Sequence, residues 1–227
     1  MRSRRSHALP GIKLPSAPHV GRRIITGDEL AALAHALGPE YSPMAYVGAV
    51  LGLRWGEVAG LRVRRLDFLR CTLMVAEQVT QDGKGGIVLG PPKSAAGRRT
   101  LAVPAALMDL LAEHLSRRGV TGAEPEALVF TARRGGPLDY SHWRNRVWRP
   151  AVATAGLTGL TFDDLRRAAA TGLVAEGVDL KTAQTRLGHA DPRLTLAIYA
   201  QATTEADRAA ADRLGARFMP GRERRPG

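Results

Sequence analysis

The chain has 227 residues and a formal charge of +12, which favours negatively charged partners such as nucleic acids. Only four of its 33 basic residues are Lys, so the Arg bias of a GC-rich genome is an alternative origin of that charge. Because Cys71 is the single cysteine, an intrachain disulfide and a four-thiolate zinc site are excluded, and a reducing cytoplasm is expected. No apolar run approaches the roughly 20 residues of a membrane span, which excludes a transmembrane segment.

The ordered part of the chain is predicted to begin after residues 1–22, a basic stretch rich in Pro, Gly and Ser that is typical of a flexible tail. Thr26 and Glu29 have the spacing of a capping box and predict the start of a helix that runs to about Leu37. The mostly apolar segment 44–61 predicts further helix. Strands are then predicted at 72–80, at 99–104 and, within a turn-rich connection, at 87–89.

The rest of the chain is predicted to be helical, apart from a short strand at 127–130. Helices are predicted at about 104–118, 140–155, 162–176, 179–187, 192–202 and 204–217. Asp191 and Pro192 suit the first positions of the helix that follows them. Residues 219–227 form a second basic tail. The pattern predicts one α+β domain over 23–218, mostly helical, with a small antiparallel β-sheet in its N-terminal half.

Arg54 lies between Leu53 and Trp55 in the apolar segment, where an unpaired guanidinium would be costly to bury. Glu57 follows three residues later and can hold it. One interpretation of the pair is a buried structural ion pair. The other is an arginine that Glu57 orients towards an anionic ligand.

Three further residues could carry chemistry. Lys93 lies in a Pro- and Gly-rich connection of a chain that uses Lys sparingly, and a solvated loop lysine is the simpler interpretation. His189 directly follows a predicted helix end. Tyr199 lies on a short helix that Leu194, Leu196 and Ile198 could bury without it, so its hydroxyl is able to face a site, although a tyrosine at such a position is usually core.

Together the arginines, Lys93, His189 and Tyr199 form a set of positive donors with one hydroxyl nucleophile. Such a set suits phosphoryl transfer without a metal, because the donors neutralise the non-bridging oxygens while the tyrosine attacks phosphorus and forms a phosphotyrosyl ester. The sequence has neither a carboxylate cluster for two metals nor a Gly-rich nucleotide-binding loop. No metal or cofactor is expected.

Two long segments resemble the motifs of the tyrosine recombinase (phage integrase) family. AVLGLRWGEVAGLRVRRLDF resembles its first arginine box, and LTFDDLRRAAATGLVAEGVDLKTAQTRLGHADPRLTLAIYA resembles its second box with the LGH and tyrosine segments that follow. The resemblance covers about residues 24–215, in the family's order. It implies the family's catalytic fold and a site-specific recombinase or integrase that breaks and rejoins double-stranded DNA at the nucleoid of a bacterial cytoplasm.

The resemblance implies a role for each candidate residue. Arg54 and Arg166 would clamp the scissile phosphate, and Glu57 would buttress the first of them. Lys93 would protonate the departing 5′ oxygen, and His189 would hydrogen-bond the phosphate.

Tyr199 would be the nucleophile and form a 3′-phosphotyrosyl link to the DNA. The family usually acts as a tetramer on DNA and exchanges a C-terminal segment between protomers, which residues 204–217 could supply. No cofactor or metal is implied.

Asp163 stands where the family's second box usually has His. An ionised carboxylate there repels the phosphate unless it pairs with Arg166 or Arg167, and acid catalysis would require a strongly raised pKa. The simpler interpretation is that Asp163 only complements the helix N-terminus, beside a capping pair of Thr161 and Asp164. We expect reduced or altered activity rather than inactivity.

The family usually has a helical core-binding domain before the catalytic domain, and residues 1–22 are too few to form one. The expectation is therefore a fragment, or a minimal form that relies on a full-length recombinase or an accessory factor. An alternative function is a catalytically impaired DNA-binding remnant or accessory protein. A third is DNA relaxation of the type IB topoisomerase kind.

Overall fold

The computed structural model describes residues 24–82 and 86–218, and between residues 201 and 218 it describes only some of the side chains. The basic tails predicted at 1–22 and 219–227 lie outside the described residues. Within the described ranges, no helix combines the length and the apolar character that crossing a membrane requires.

The first helix, α1 (Gly27–Leu51), starts at the predicted capping box. The amide N–H of Glu29 donates to Thr26 Oγ1, and the amide N–H of Thr26 donates to Glu29 Oε2. Gly38, with φ of 71°, and Pro39 kink the helix in its middle. The two helical segments predicted here therefore form one bent element.

The end of α1 corrects the prediction for Arg54. The helix stops at Gly52, which has a left-handed conformation with φ of 68°, and the short helix α2 (Trp55–Ala59) begins three residues later. Arg54 is the residue before α2 and does not lie inside a helix. Because Gly52 breaks the apolar segment, the guanidinium can reach the surface of the molecule.

Two small antiparallel sheets follow, where a single small sheet was predicted. The first is ordered β1-β2-β5, and the second is a hairpin of β3 and β4. The strands are β1 (Leu66–Asp67), β2 (Thr72–Val75), β3 (Gln78–Gln81), β4 (Ile87–Gly90) and β5 (Arg99–Ala102). The predicted strand 72–80 is interrupted at Ala76 and Glu77, where the chain passes from one sheet to the other. The strand predicted at 127–130 is wrong, because Leu128 makes only an isolated bridge with Arg62.

The remaining elements are mostly helical, as predicted. The helices are α3 (Ala105–Arg117), α4 (Tyr140–Trp143), α5 (Arg149–Thr154), α6 (Phe162–Ala175), α7 (Leu180–Leu187) and α8 (Pro192–Phe218). A π-helical stretch, Arg144–Trp148, joins α4 to α5. The two helices predicted between 192 and 217 are one, because residues 200–206 include neither Gly nor Pro to end the first.

A buried aromatic cluster packs α6 beside α1. The ring centroids of Trp143, Trp148 and Phe162 lie 5.4 to 5.9 Å apart. Gly48 of α1 permits the close approach, since a Cβ at that position would lie 2.9 Å from the ζ carbon of Phe162. The start of α6 is therefore fixed against the end of α1, and this contact sets the position of Arg166 relative to Gly52.

Candidate active site

A cavity of about 720 Å³ opens where five segments of the chain meet. Its walls come from these five segments, which are the start of α2, the β3–β4 hairpin, the loop before β5, the start of α6 and the turn between α7 and α8, and from a sixth at the start of α4. Four predicted site residues line it: Arg54, Glu57, Lys93 and Asp163. Segments more than a hundred residues apart in sequence thus form one wall.

Arg54 presents its guanidinium to this cavity. Its side chain is 42% exposed, and its Nη1 lies 3.3 Å from Glu57 Oε1. The backbone N–H of Arg54 donates to Glu57 Oε2 at 3.0 Å. Glu57 therefore holds both the main chain and the side chain of Arg54, and it leaves part of the guanidinium open to an anion.

Glu57 is itself held by Arg99, a residue that sequence reasoning missed. Nη1 and Nη2 of Arg99 donate to the two carboxylate oxygens of Glu57 at 3.1 and 3.0 Å. Burial raises the pKa of Glu57, but the hydrogen bonds and charge of Arg99, with the N–H of Arg54, lower it below its ordinary value. Glu57 is therefore ionised at neutral pH.

Arg166 lies behind the cavity and is 6% exposed. Its Nη1 donates to the carbonyl of Gly52, and its Nη2 donates to the carbonyl of Leu187 at 2.6 Å. Burial, followed by the positive charge of Arg54, lowers the pKa of Arg166 to about 10, so the side chain stays charged at neutral pH. Arg166 joins the turn before Arg54 to the turn before His189.

His189 follows Gly188, which ends α7 in a left-handed conformation with φ of 64°. Its Nδ1 lies 2.8 Å from Thr195 Oγ1 of α8, and its side chain is buried. Burial, together with the positive charges of Arg166, Arg54 and Arg99, lowers the pKa of His189 to about 4, against a smaller opposing effect of Asp163. The imidazole is therefore neutral at pH 7.

Lys93 and Asp163 are the exposed residues of the predicted set. Lys93 lies in the connection after β4 and lines the cavity. Asp163 is the second residue of α6, and its carboxylate lies in the first turn of that helix.

Among the described residues no ion pair joins Asp163 to Arg166 or Arg167, although the charge of Asp163 acts on Arg166 and raises its pKa. Arg166 donates to two backbone carbonyls, and Arg167 donates to Asp164 at 2.8 Å. The capping pair is present as predicted, since Asp164 Oδ2 accepts from the N–H and the hydroxyl of Thr161. The carboxylate of Asp163 thus faces the same cavity as Arg54 and Lys93.

Tyr199 is placed away from this cavity. Its hydroxyl donates to the backbone carbonyl of Val178, in the connection between α6 and α7. Burial and the charge of Asp179 raise its pKa. The expectation that Leu194 and Leu196 bury this helix is also wrong, because both are about half exposed.

A second tyrosine, Tyr140, lies at this site. Tyr140 lines the cavity, and the centroid of its ring lies 4.9 Å from that of Trp55.

Across the described ranges, no group of three or more His, Cys, Asp or Glu side chains is arranged to hold a metal ion.

A model of the phage integrase family matches residues 23–206, which is most of the chain. The chain belongs to the phage integrase family. An integrase of Mycobacterium phage L5 is 30% identical over 190 residues, which cover 83% of this chain and 50% of that protein. A XerC-like tyrosine recombinase of Caldanaerobacter subterraneus is 28% identical over 190 residues, which cover 76% of this chain and 48% of that protein. The chain thus spans about half the length of these curated relatives.

Two solved structures share the fold of this chain. The Tn1549 transposon integrase, in complex with transposon right end DNA, matches with a TM-score of 0.70 and 21% identity over 90% of this chain and 69% of that one. The XerA recombinase matches with a TM-score of 0.62 and 22% identity over 91% and 67%. The predicted fold class, a mostly helical tyrosine-recombinase catalytic fold, is confirmed.

Proposed function

We propose that this phage integrase domain breaks and rejoins DNA strands at specific sites through a 3′-phosphotyrosyl intermediate on Tyr199. The observation that supports the proposal is that Arg54 and Lys93 line one cavity, while the buried Arg166 and His189 lie behind its wall, close enough for the charges of Arg54 and Arg166 to act on His189. A duplex phosphate entering this cavity meets Arg54 and Lys93, with the positive charge of Arg166 and the neutral imidazole of His189 behind them. Such a group of donors stabilises the charge that develops on a phosphoryl transition state.

The two arginines act from different depths in this mechanism. Arg54 is the accessible cation and takes the non-bridging oxygens, while Glu57 fixes its direction. Arg166 holds the carbonyls of Gly52 and Leu187, so the walls on either side of the phosphate keep their spacing. It also places a buried positive charge beneath the phosphate.

The reaction needs two proton transfers. The phenolic proton of Tyr199 leaves as its oxygen attacks phosphorus, and the proposed acceptors are the carboxylate of Asp163, which lines the cavity, and the neutral imidazole of His189 behind it. Lys93 gives a proton to the 5′ oxygen as the P–O bond breaks. Rejoining reverses these steps, with the 5′ hydroxyl as nucleophile.

Tyr199 must leave Val178 before it can react. Its hydroxyl hydrogen bond occupies the group that has to attack phosphorus. We propose that DNA binding and assembly with further copies of this chain, a full-length recombinase or an accessory factor release it. A homotetramer on DNA is the proposed active form.

The test uses a pool of nicked suicide duplexes with a randomised core. A tyrosine that attacks beside the nick releases a short fragment and stays covalently attached, so adducts can be isolated on a denaturing gel and their DNA sequenced. We expect adducts with a recurring core sequence from the wild type and none from Tyr199→Phe. Absence of adducts from the wild type across the pool would contradict the proposal.

Tyr140→Phe is the matched control, because Tyr140 is the tyrosine that lines the cavity in this structure. This variant should form adducts at the wild-type rate. If Tyr140→Phe loses the adducts and Tyr199→Phe keeps them, the nucleophile is Tyr140 and the assignment of Tyr199 is wrong.

A DNA-binding accessory protein is the second candidate function. The engagement of Tyr199 with Val178 and the carboxylate of Asp163 in the cavity favour it. It predicts duplex binding by the wild type that Tyr199→Phe leaves unchanged, with no adducts. Relaxation of supercoiled plasmid without a sequence requirement would instead indicate a topoisomerase-like activity.

A further inference from the structure

Arg99 is the first residue of β5, and its guanidinium is buried beneath the cavity. Besides its two bonds to Glu57, its Nε donates to the carbonyl of Arg186 at 2.7 Å, and its Nη1 donates to the carbonyl of Gly97 at 2.9 Å. The side chain is 3% exposed and does not itself line the cavity. One guanidinium therefore fixes three separate segments.

Each segment that Arg99 holds carries a residue of the proposed mechanism. Glu57 orients Arg54. Gly97 ends a short helical turn, Ala95–Gly97, in the same connection between β4 and β5 that carries Lys93. The carbonyl of Arg186 lies in the last turn of α7, just before the turn that presents His189.

The turn at Gly188 is shaped around this guanidinium. A Cβ at Gly188 would lie 2.8 Å from Arg99 Nη1 and 3.0 Å from the carbonyl oxygen of Ala96. The turn that carries His189 therefore packs directly on Arg99 and on the Lys93 loop. Arg186 adds a second link, because its guanidinium donates to the carbonyl of Ala102 on β5.

We propose that Arg99 is a positioning residue of the active site, which fixes Arg54 through Glu57 and holds the Lys93 loop and the His189 turn at their mutual distance. This inference rests on the function proposed above. Lysine cannot replace the side chain, because an ammonium does not reproduce the planar fork that meets both oxygens of Glu57 while it donates to two carbonyls.

The first test measures the rate of adduct formation at saturating suicide duplex. A small displacement of a positioned group costs about 100-fold in rate, so Arg99→Met should lose about that factor while its Kd for the duplex changes less than about threefold. Arg99→Lys should recover only a part of the loss. Rates are compared among molecules that remain folded at the assay temperature, as judged by thermal melting.

Arg118→Met is the matched control. Arg118 also donates to two backbone carbonyls, those of Leu128 and Val129, and to the hydroxyl of Thr131, but it lies outside the cavity. It should lower the melting temperature with little change in rate per folded molecule. If Arg99→Met shows only the same loss of melting temperature, the positioning role is wrong.

A double-mutant comparison separates positioning from a general structural role. In an Arg54→Lys background there is no guanidinium at position 54 for Glu57 to orient. Arg99→Met should therefore lower the rate of adduct formation by a clearly smaller factor there than in the wild type. A loss that simply multiplies in the double variant would overturn the proposed route through Arg54.

A second readout does not depend on catalysis. The imidazole of His189 is titrated by NMR in the free protein and assigned by comparison with His189→Gln. The charged groups that face it are Arg54 on the α2 turn, Arg99 on β5, and Asp163 and Arg166 on α6. Removal of the Arg99 cation should raise the His189 pKa in Arg99→Met, whereas Arg118→Met should leave it unchanged.

The two readouts distinguish the possible failures. If the wild type forms no adducts but the His189 titration shifts in Arg99→Met, the proposed function fails and the positioning role falls with it, while the placement of the Arg99 charge beside His189 stands. If the wild type forms adducts and Arg99→Met matches it in both rate and titration, the inference about Arg99 is wrong.

Discussion

Asp163 brings a carboxylate to the cavity wall, at the start of α6 and beside the phosphate position proposed above. An ionised carboxylate there opposes the approach of a phosphate, whereas an imidazole can donate to it. We therefore expect Asp163→His to raise the rate of adduct formation by about tenfold, which corresponds to about 1.4 kcal/mol of the barrier.

Asp163→Asn separates the two effects of this substitution. It removes the charge without adding an imidazole, so a rate as high as that of Asp163→His would assign the gain to relief of repulsion alone. An unchanged or lower rate in Asp163→His would contradict the idea of an impaired site and would favour Asp163 as the proton acceptor of Tyr199.

His189 makes the stability of the domain depend on pH. Its pKa is about 4 in the folded protein, against about 6.5 in an unfolded chain. Between these values the unfolded state binds more protons, so the free energy of unfolding rises with pH through this window and falls on acidification. The loss of unfolding free energy is negligible above about pH 7.5 and reaches about 3 kcal/mol near pH 4.

His189→Gln should reduce this slope while keeping a polar partner for Thr195. Urea unfolding at several pH values between 4 and 7 measures it. Some slope remains, because burial also lowers the pKa of His114. Equal slopes in the wild type and His189→Gln would show that His189 is not held neutral by folding.

At the scale of elements, the turn between α7 and α8 depends on a glycine with two constraints. Gly188 has φ of 64° and has no room for a Cβ, while Gly177 has φ of 70° and open space around it. Gly177→Ala therefore carries only the backbone cost of about 1 kcal/mol. Gly188→Ala should cost at least about 1 kcal/mol more, because it also displaces Arg99.

The measurement is urea unfolding of both variants together with their adduct rates. Gly188→Ala should lose activity in the molecules that remain folded, and Gly177→Ala should not. Equal stabilities and rates for the two variants would contradict the close packing of Gly188 on Arg99.

Elements were predictable where the local pattern determines the structure. The capping boxes at Thr26 and Thr161 mark true helix starts, since their hydrogen bonds form within four residues. The environment of Arg54 was not predictable in the same way, because a left-handed Gly52 divides an otherwise helical apolar segment.

Arg99 and Tyr199 show why the site was only partly predictable. Arg99 and Leu101 lie on the buried face of β5, so the alternation of the strand indicates that Arg99 is buried. In a chain this rich in arginine, however, one more arginine does not stand out in the sequence. Tyr199 was named from its motif, and its contact with Val178 depends on how α8 packs, which no local pattern encodes.

At the scale of the whole molecule, the excess of positive charge should dominate DNA affinity. With about six phosphates neutralised, the logarithm of the binding constant falls with the logarithm of salt concentration with a slope of about −5. Binding of a duplex should then weaken by about a thousandfold between 0.05 and 0.2 M NaCl. Fluorescence anisotropy over that range measures the slope, and a value near zero would contradict electrostatic binding.

The two carbonyls held by Arg166 have a consequence for how this gene would decay. Because Arg166 supports Gly52 and Leu187, selection for a folded protein alone would preserve it, even in a lineage that no longer cuts DNA. Arg54 and Lys93 are partly or largely exposed and carry little of the fold. Natural variants that keep Arg166 but have other residues in place of Arg54 and Lys93 would therefore be proteins that have lost catalytic activity. Variants that keep all three residues would be active recombinases.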